Sequence, residues 1–244
     1  MKTVHIDASK SYDVLIGAGL LKETGARIRA LLSPASCMLV SDDRVYALYG
    51  DVVRQSLLNA GIRTGVFTFP RGEASKSLAT YGSLLEELCP ARITRTDLIV
   101  ALGGGVTGDM AGFAAATYRR GIRFVQIPTT LLAMVDASVG GKTAVDLAHG
   151  KNMAGAFWQP SLVLIDPDTL QTLPFRQVSA GLAEAVKMGM ICDSELFELF
   201  EEDDYYDHID EIIFRALKAK RDVVAKDERE MGLRKILNFG HTFG

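Results

Sequence analysis

Short apolar runs alternate with longer stretches of helical period through most of the chain. Thr3–Ile6, Tyr12–Ile16, Cys37–Ser41, Gly65–Phe69, Leu98–Leu102, Phe124–Ile127 and Leu162–Ile165 read as strands. Between them, Leu20–Leu32, Val45–Ala60, Ser77–Cys89 and Thr107–Arg120 read as helices. Strands alternating with helices of this length predict the α/β class, with βαβ units and a mostly parallel sheet. Leu98–Leu102 is apolar without alternation, as expected of a central strand covered on both faces.

The pattern changes near Pro174. Beyond it no convincing strand remains. Ala180–Cys192 and Ile209–Lys226 are helical patterns separated by the acidic stretch EEDDYYDH. The expected organisation is an α/β domain over residues 1–174, followed by the first part of an all-helical domain over residues 175–244. The segment Leu131–Trp158 is rich in glycine and small residues, and its pattern assigns no element. Ala180–Cys192 carries only Glu184 and Lys187 as charges and is apolar nearly all round, so it is expected to be buried. A buried carboxylate needs a cation, a metal or a hydrogen-bond partner, and Lys187 lies three residues on, on the same helix face. Ile213, Leu217 and Val224 form the apolar stripe of the following helix. Lys220 falls on that stripe, either snorkelling past the core edge or pointing its ammonium into a cleft.

One glycine-rich turn carries chemistry. Gly103–Asp109 reads GGGVTGD, follows an apolar strand and opens a helix, with glycines at 103, 105 and 108 in the G-x-G-x-x-G spacing. Glycines there allow close backbone approach, and the free N–H groups of a helix start favour a pyrophosphate. The acidic residue that usually ends the next strand is missing, since that region reads FVQIPTT. The turn therefore predicts dinucleotide binding of a non-standard type. GGKT at 140–143 resembles the end of a P-loop, but Asp136 stands where that motif needs glycine. Lys142 and Lys151 each follow a glycine and suit a phosphate or carboxylate, or else are solvated loop lysines. The stretch DERE is followed by Arg234, Asn238 and His241, any one of which could be a surface residue when taken alone.

Composition narrows the class further. Hydrophobic residues make up 48% of the 244 and charged residues 23%, the balance of a soluble globular protein. A formal charge of −3 offers no polybasic footprint for nucleic acid. The three scattered cysteines, Cys37, Cys89 and Cys192, read as reduced thiols. With no long apolar run for a signal peptide or a membrane span, the expected location is cytoplasmic.

Taken together, GEASKS, GGGVTGDMAGF, TYRRGIRFVQIPTTLLAMVDASVGGKTAVD, GKNMAGAFWQP, LPFRQVSAGLAEAVK and DEREMGLRKILNFGHTFG closely resemble the 3-dehydroquinate synthase family. The resemblance runs in order along essentially the whole chain. It implies a single site that acts on a phosphorylated sugar acid, 3-deoxy-D-arabino-heptulosonate 7-phosphate. In that family NAD transiently oxidises a ring hydroxyl, phosphate is eliminated, the ketone is reduced again, and an intramolecular aldol closes the ring. A divalent metal, zinc or cobalt, polarises the hydroxyl. By the same resemblance, Glu184 and His241 would be metal ligands. Lys142, Lys151, Asn152, Lys187, Lys220, Arg234 and Asn238 would hold the substrate, and Asp136 would contact its reacting hydroxyls. Arg120 would reach the phosphate in a neighbouring subunit, which implies a homodimer. Asp42, Glu73, Lys76, Gly104, Gly105, Asp109, Thr129, Thr130, Thr169 and Thr172 match the NAD-contacting positions, which Lys142 and Lys151 also adjoin.

The family pattern continues beyond GHTFG to a second histidine near the phosphate and a third metal ligand on a later helix. Three protein ligands are usual for a catalytic zinc. A chain ending at Gly244 is therefore expected to hold metal weakly and turn over little. The alternatives are another sugar-phosphate cyclase, a metal-dependent polyol dehydrogenase that would release NADH, and a non-catalytic NAD-binding fragment.

Overall fold

The computed structural model describes residues 1–201 and 205–240. A seven-stranded sheet forms its centre, built from β1 (Lys2–Ile6), β2 (Tyr12–Ile16), β3 (Ser36–Asp42), β4 (Arg63–Phe69), β5 (Leu98–Gly103), β6 (Arg123–Pro128) and β9 (Leu162–Ile165). Their spatial order is β1-β2-β9-β6-β5-β3-β4. The β1–β2 pair is antiparallel, and the other neighbours are parallel. The mostly parallel sheet expected from the sequence is present.

Helices cover both faces of the sheet. α1 (Leu20–Leu32) and α3 (Asp51–Asn59) lie on one face, with the short α2 (Asp43–Val45) and a π-helical turn at Tyr46–Gly50 leading into α3. α4 (Leu78–Leu88) and α5 (Gly105–Thr117) lie on the other. β5 feeds both cores: Leu98, Val100 and Leu102 pack with Ile28 of α1 and Leu57 of α3, while Ile99 and Ala101 pack with Leu84 of α4 and Met110 of α5. All six β5 residues are buried, which is why the strand shows no alternation.

The unassigned segment contains an antiparallel hairpin, β7 (Lys142–Leu147) and β8 (Gly150–Phe157). None of the eight β8 residues is buried, three being half-buried and five exposed, so the run carries no strand signal of its own. The hairpin packs instead on the small-residue face of α5. A Cβ on Gly112 would lie 2.4 Å from the Thr143 side chain.

From Phe175 onward the described elements are helical: α6 (Phe175–Cys192), α7 (Ser194–Glu198) and α8 (Ile209–Lys226), with short 3-10 turns. Part of the acidic stretch, residues 202–204, lies outside the described residues. Ile212, Ile213, Ala216, Leu217 and Val223 of α8 share one core with Val4, Ile6 and Val14 of the β1–β2 edge and with Val178, Ala185 and Met188 of α6. The expectation that Ala180–Cys192 is buried is corrected in part. The face through Val178, Gly181, Ala185 and Met188 is buried, and Glu184 and Lys187 are largely covered, while Met190 is 61% exposed.

Candidate functional site

Two clefts open at the C-terminal ends of the parallel strands. β3 is followed by β4 on one side of it, and β5 by β6 on the other, so the β3–β5 junction is a topological switch point. In open α/β sheets, such crevices receive ligands.

The first cleft, about 630 Å³, lies at that junction and is lined by Asp42, Tyr49, Arg71, Glu73, Gly104, Gly105, Thr129, Thr130 and Thr172, among others. α5 starts on its wall without any side-chain cap, leaving first-turn N–H groups available to an anion. α5 also packs tightly on β6, since a Cβ on Gly108 would lie 2.5 Å from the Gln126 side chain. Glycine there lets the helix N-terminus sit close to the sheet. The Thr129 side chain is buried, and its hydroxyl has no hydrogen-bond partner among the described residues. Thr130 Oγ1 accepts from the Ala133 N–H at 3.3 Å. Asp42 accepts from the Val45 N–H at 2.9 Å, and burial pushes its carboxyl above the usual range. These residues fit a dinucleotide: a pyrophosphate at the helix start and a hydroxyl-bearing moiety near Thr129. Thr169 stands behind the wall. Its hydroxyl donates to the Asp166 carbonyl at 2.8 Å, and its own carbonyl accepts from Tyr49. Tyr49 also hydrogen-bonds Thr172.

The second cleft, about 530 Å³, lies between α5, the Asp136–Val139 segment, the β7–β8 hairpin and α8. Asp109, Asp136, Lys142, Asn152, Lys220 and Arg234 line it, three cations against two carboxylates. Lys220 is 4% exposed and pairs with the Asp136 carboxylate at 2.8 Å, so its ammonium points into the cleft. Burial pushes the Lys220 ammonium below its ordinary value, opposed by Asp136. For Asp136, burial pushes upward, but the charges of Lys220, Lys187 and Arg234 hold the carboxyl below its ordinary value.

Gly140 explains the glycine pair in GGKT. Its φ is +98°, and a Cβ would come 2.2 Å from the Arg234 guanidinium. The buried guanidinium donates to the Gly140 carbonyl at 3.1 Å and so forms part of the cleft floor. GGK leads into a strand and not a helix, which removes the P-loop alternative.

A hydrogen-bonded bridge lies at the wall of the second cleft. Lys76, 6% exposed, donates to Asp109 Oδ2 and to Asn152 Oδ1, both at 2.5 Å. Burial raises the Asp109 carboxyl to about 6, against the pull of Lys76. Asn152 sits at φ +58°, its N–H held by Asp146 Oδ1 at 2.7 Å. At the rim, Lys151 pairs with Glu73 at 3.1 Å.

The other candidate residues are more dispersed. Lys187 pairs with Glu184 and donates to the Leu237 carbonyl at 2.6 Å, lining neither cleft. Asn238 donates to Glu230 Oε1 at 2.8 Å. Arg120 is exposed on the turn after α5. His241 lies outside the described residues. Among the described residues, no group of three ligand-type side chains converges on a metal site. The structure adds Glu230, absent from the sequence candidates, which pairs with Lys142 and accepts from Asn238. Its signal was the DERE run directly ahead of Arg234, which by itself reads as a solvated charge cluster.

This fold is that of the sugar-phosphate cyclases. A 2-deoxy-scyllo-inosose synthase solved with carbaglucose-6-phosphate, NAD+ and Co2+ superposes with a TM-score of 0.91 at 29% identity, over 99% of this chain and 67% of that one. A 2-epi-5-epi-valiolone synthase from Streptomyces hygroscopicus, with NAD+ and Zn2+ bound, gives 0.85 at 32% identity over 98% of this chain and 68% of that one. Residues 66–180 match the family model for the 3-dehydroquinate synthase N-terminal region, and residues 181–244 the model for its C-terminal region. The 3-dehydroquinate synthase of Streptococcus suis is 50% identical over 238 residues, 96% of this chain and 67% of that protein. The chain belongs to the 3-dehydroquinate synthase family, and it spans about two thirds of the length of the curated relatives it matches.

Proposed function

We propose that the two clefts are the NAD and substrate sites of a 3-dehydroquinate synthase, a phosphate-eliminating lyase acting on 3-deoxy-D-arabino-heptulosonate 7-phosphate. The observation that carries this reading is α5, whose uncapped N-terminus at Gly105 lines the first cleft while its Asp109, held by Lys76, lines the second, cationic one. Bound NAD+ supplies the hydride acceptor for the transient oxidation. Lys142, Lys220 and Arg234 supply positive charge for the substrate's carboxylate and phosphate. Asp136, kept ionised by Lys220, accepts hydrogen bonds from the substrate's hydroxyls. Asn152, oriented by Lys76, fixes the substrate against the hairpin, and Glu230 steers Lys142 and Asn238 from the outer side.

Glu184 is carried as a ligand of a divalent metal, zinc or cobalt, as in the two solved neighbours, with His241 as a second. The described residues alone do not complete that site. Lys151 and Lys187 join the substrate set, and Arg120 serves the partner subunit of a homodimer. The domain boundary is placed at Pro174, where α6 begins. Unpaired Cys37, Cys89 and Cys192 favour a reducing, cytoplasmic setting, and no described helix is long and apolar enough to cross a membrane.

The test is phosphate release from the heptulosonate phosphate, with NAD+ and zinc or cobalt supplied. Phosphate released without net NADH supports the cyclase. Stoichiometric NADH would instead favour a dehydrogenase, and NAD binding without turnover a non-catalytic fragment.

A further inference from the structure

Arg234 forms the cleft floor from the start of the 3-10 turn Leu233–Asn238, which hangs on α8 by an irregular connection over residues 227–232. Irregular backbone does not hold a guanidinium in register on its own. Two adjacent carboxylates supply what is missing.

Asp227 ends α8 and turns its side chain onto the segment that follows. Its Oδ1 accepts from the Met231 N–H at 2.9 Å, and its Oδ2 from the N–H groups of Gly232 at 2.7 Å and Arg234 at 3.0 Å. These three bonds close the loop around Glu230, whose φ of +58° is unfavourable for a residue with a side chain. They also hold the Asp227 carboxyl below its usual range.

Glu228 fixes the same loop to the rest of the fold. Its carboxylate accepts from the Ser9 N–H at 2.8 Å, the Ser9 hydroxyl at 2.6 Å and Gln159 Nε2 at 2.8 Å. Ser9 belongs to the β1–β2 turn, and Gln159 to the connection from β8 to β9. Gln159 is buried and packs under the second glycine of the floor, where a Cβ on Gly141 would lie 2.7 Å from its Nε2. The Glu228 carbonyl itself accepts from Arg234 Nη1.

We propose that Asp227 and Glu228 are positioning residues for Arg234. Asp227 gives the loop its shape, Glu228 docks it on the sheet edge and hairpin base, and together they set the guanidinium against Gly140. The proposal rests on the reading of the second cleft as the substrate site. Neither carboxylate lines the NAD cleft, so their effect should be confined to one ligand.

The experiment measures NAD+ and heptulosonate-phosphate affinities calorimetrically for wild type, Asp227→Asn and Glu228→Gln, and for each change in an Arg234→Lys background. Each single variant should bind the sugar phosphate at least tenfold more weakly and NAD+ within twofold of wild type. In the Arg234→Lys background either change should add less than twofold, because a residue that acts through Arg234 has nothing left to position. Sugar-phosphate affinity unchanged in the single variants would overturn the proposal. So would parallel loss of both ligands, or a full additive loss in the Arg234→Lys background. Phenylglyoxal labelling of Arg234, read by mass spectrometry, separates this proposal from the functional reading. If wild type binds no sugar phosphate, that reading fails. Faster labelling in both single variants would then still uphold the positioning role, and equal labelling would refute it.

Discussion

Lys220 donates twice to Asp136, to its carboxylate at 2.8 Å and to its main-chain carbonyl at 2.5 Å. The pair links the middle of α8 to the Ala133–Ala137 turn, and both side chains line the second cleft. Breaking a buried ion pair from one side leaves a charge without its partner, which costs about 3–5 kcal/mol.

Lys220→Met keeps the aliphatic stem and removes the charge, so it isolates that cost. In the wild type the Asp136 carboxyl is held below 3.8, so its contribution to stability is present above about pH 4 and lost as pH falls further. Without Lys220, burial pushes the carboxyl up, and the folded state binds more protons than the unfolded one. The loss caused by the substitution should therefore be larger at pH 7 than at pH 5. Urea unfolding at the two pH values checks this, and an equal loss at both would refute it.

Asp109 works in the opposite sense. With its carboxyl raised to about 6 from an ordinary 3.8, the folded protein holds a proton that the unfolded chain has released. Its contribution therefore becomes less favourable as pH rises from about 4 to about 6, and stays so above that. Asp109→Asn removes the titration, so wild-type stability relative to this variant should fall across the window. Denaturant midpoints measured at half-unit pH steps would show it. A difference that does not change with pH counts against the assignment.

Gly140→Ala should act on one cleft only. The new methyl meets the Arg234 guanidinium at 2.2 Å in a backbone conformation of φ +98°. We expect a stability loss of about 1–3 kcal/mol and at least tenfold weaker binding of the sugar phosphate, with NAD+ affinity within twofold of wild type. Calorimetric titration with each ligand is the check, and unchanged sugar-phosphate affinity would exclude Arg234 from the floor.

Thr129→Val tests the unpartnered hydroxyl in the first cleft. Replacing a buried hydroxyl that lacks a partner with a methyl of the same shape removes a desolvation cost of about 1–3 kcal/mol. The ligand-free protein should become more stable, while NAD+ binding should weaken about tenfold if that hydroxyl meets the cofactor. Thermal melts with and without NAD+ separate the two effects. A variant that gains stability and binds NAD+ normally would place the cofactor elsewhere.

The strands of the large sheet, the helices on its faces and the glycine-rich turn were all legible in the sequence. Each is encoded locally, by β-branched runs, a helical period of apolar residues, or glycine spacing at a strand end. Lys220 could be assigned only to a stripe, because spacing places a side chain on a helix face without saying whether that face meets core or cleft. The β7–β8 hairpin was hidden for a related reason: its residues are paired with each other and with α5, so their apolar content shows no alternation. The exposed face of α6 could not be read either, since an apolar helix predicts burial only where a neighbour exists to cover it.

By itself, then, the sequence determined the α/β class, the glycine-rich turn and, through the family resemblance, the charged residues that line the second cleft. Only the tertiary structure decided the pairings: Lys76 with Asp109 and Asn152, Lys220 with Asp136, Glu230 with Lys142, and Arg234 against Gly140. Those partners are separated by tens of residues along the chain. Charge and hydrogen bonding act through a few ångströms of space, and no local pattern carries that distance.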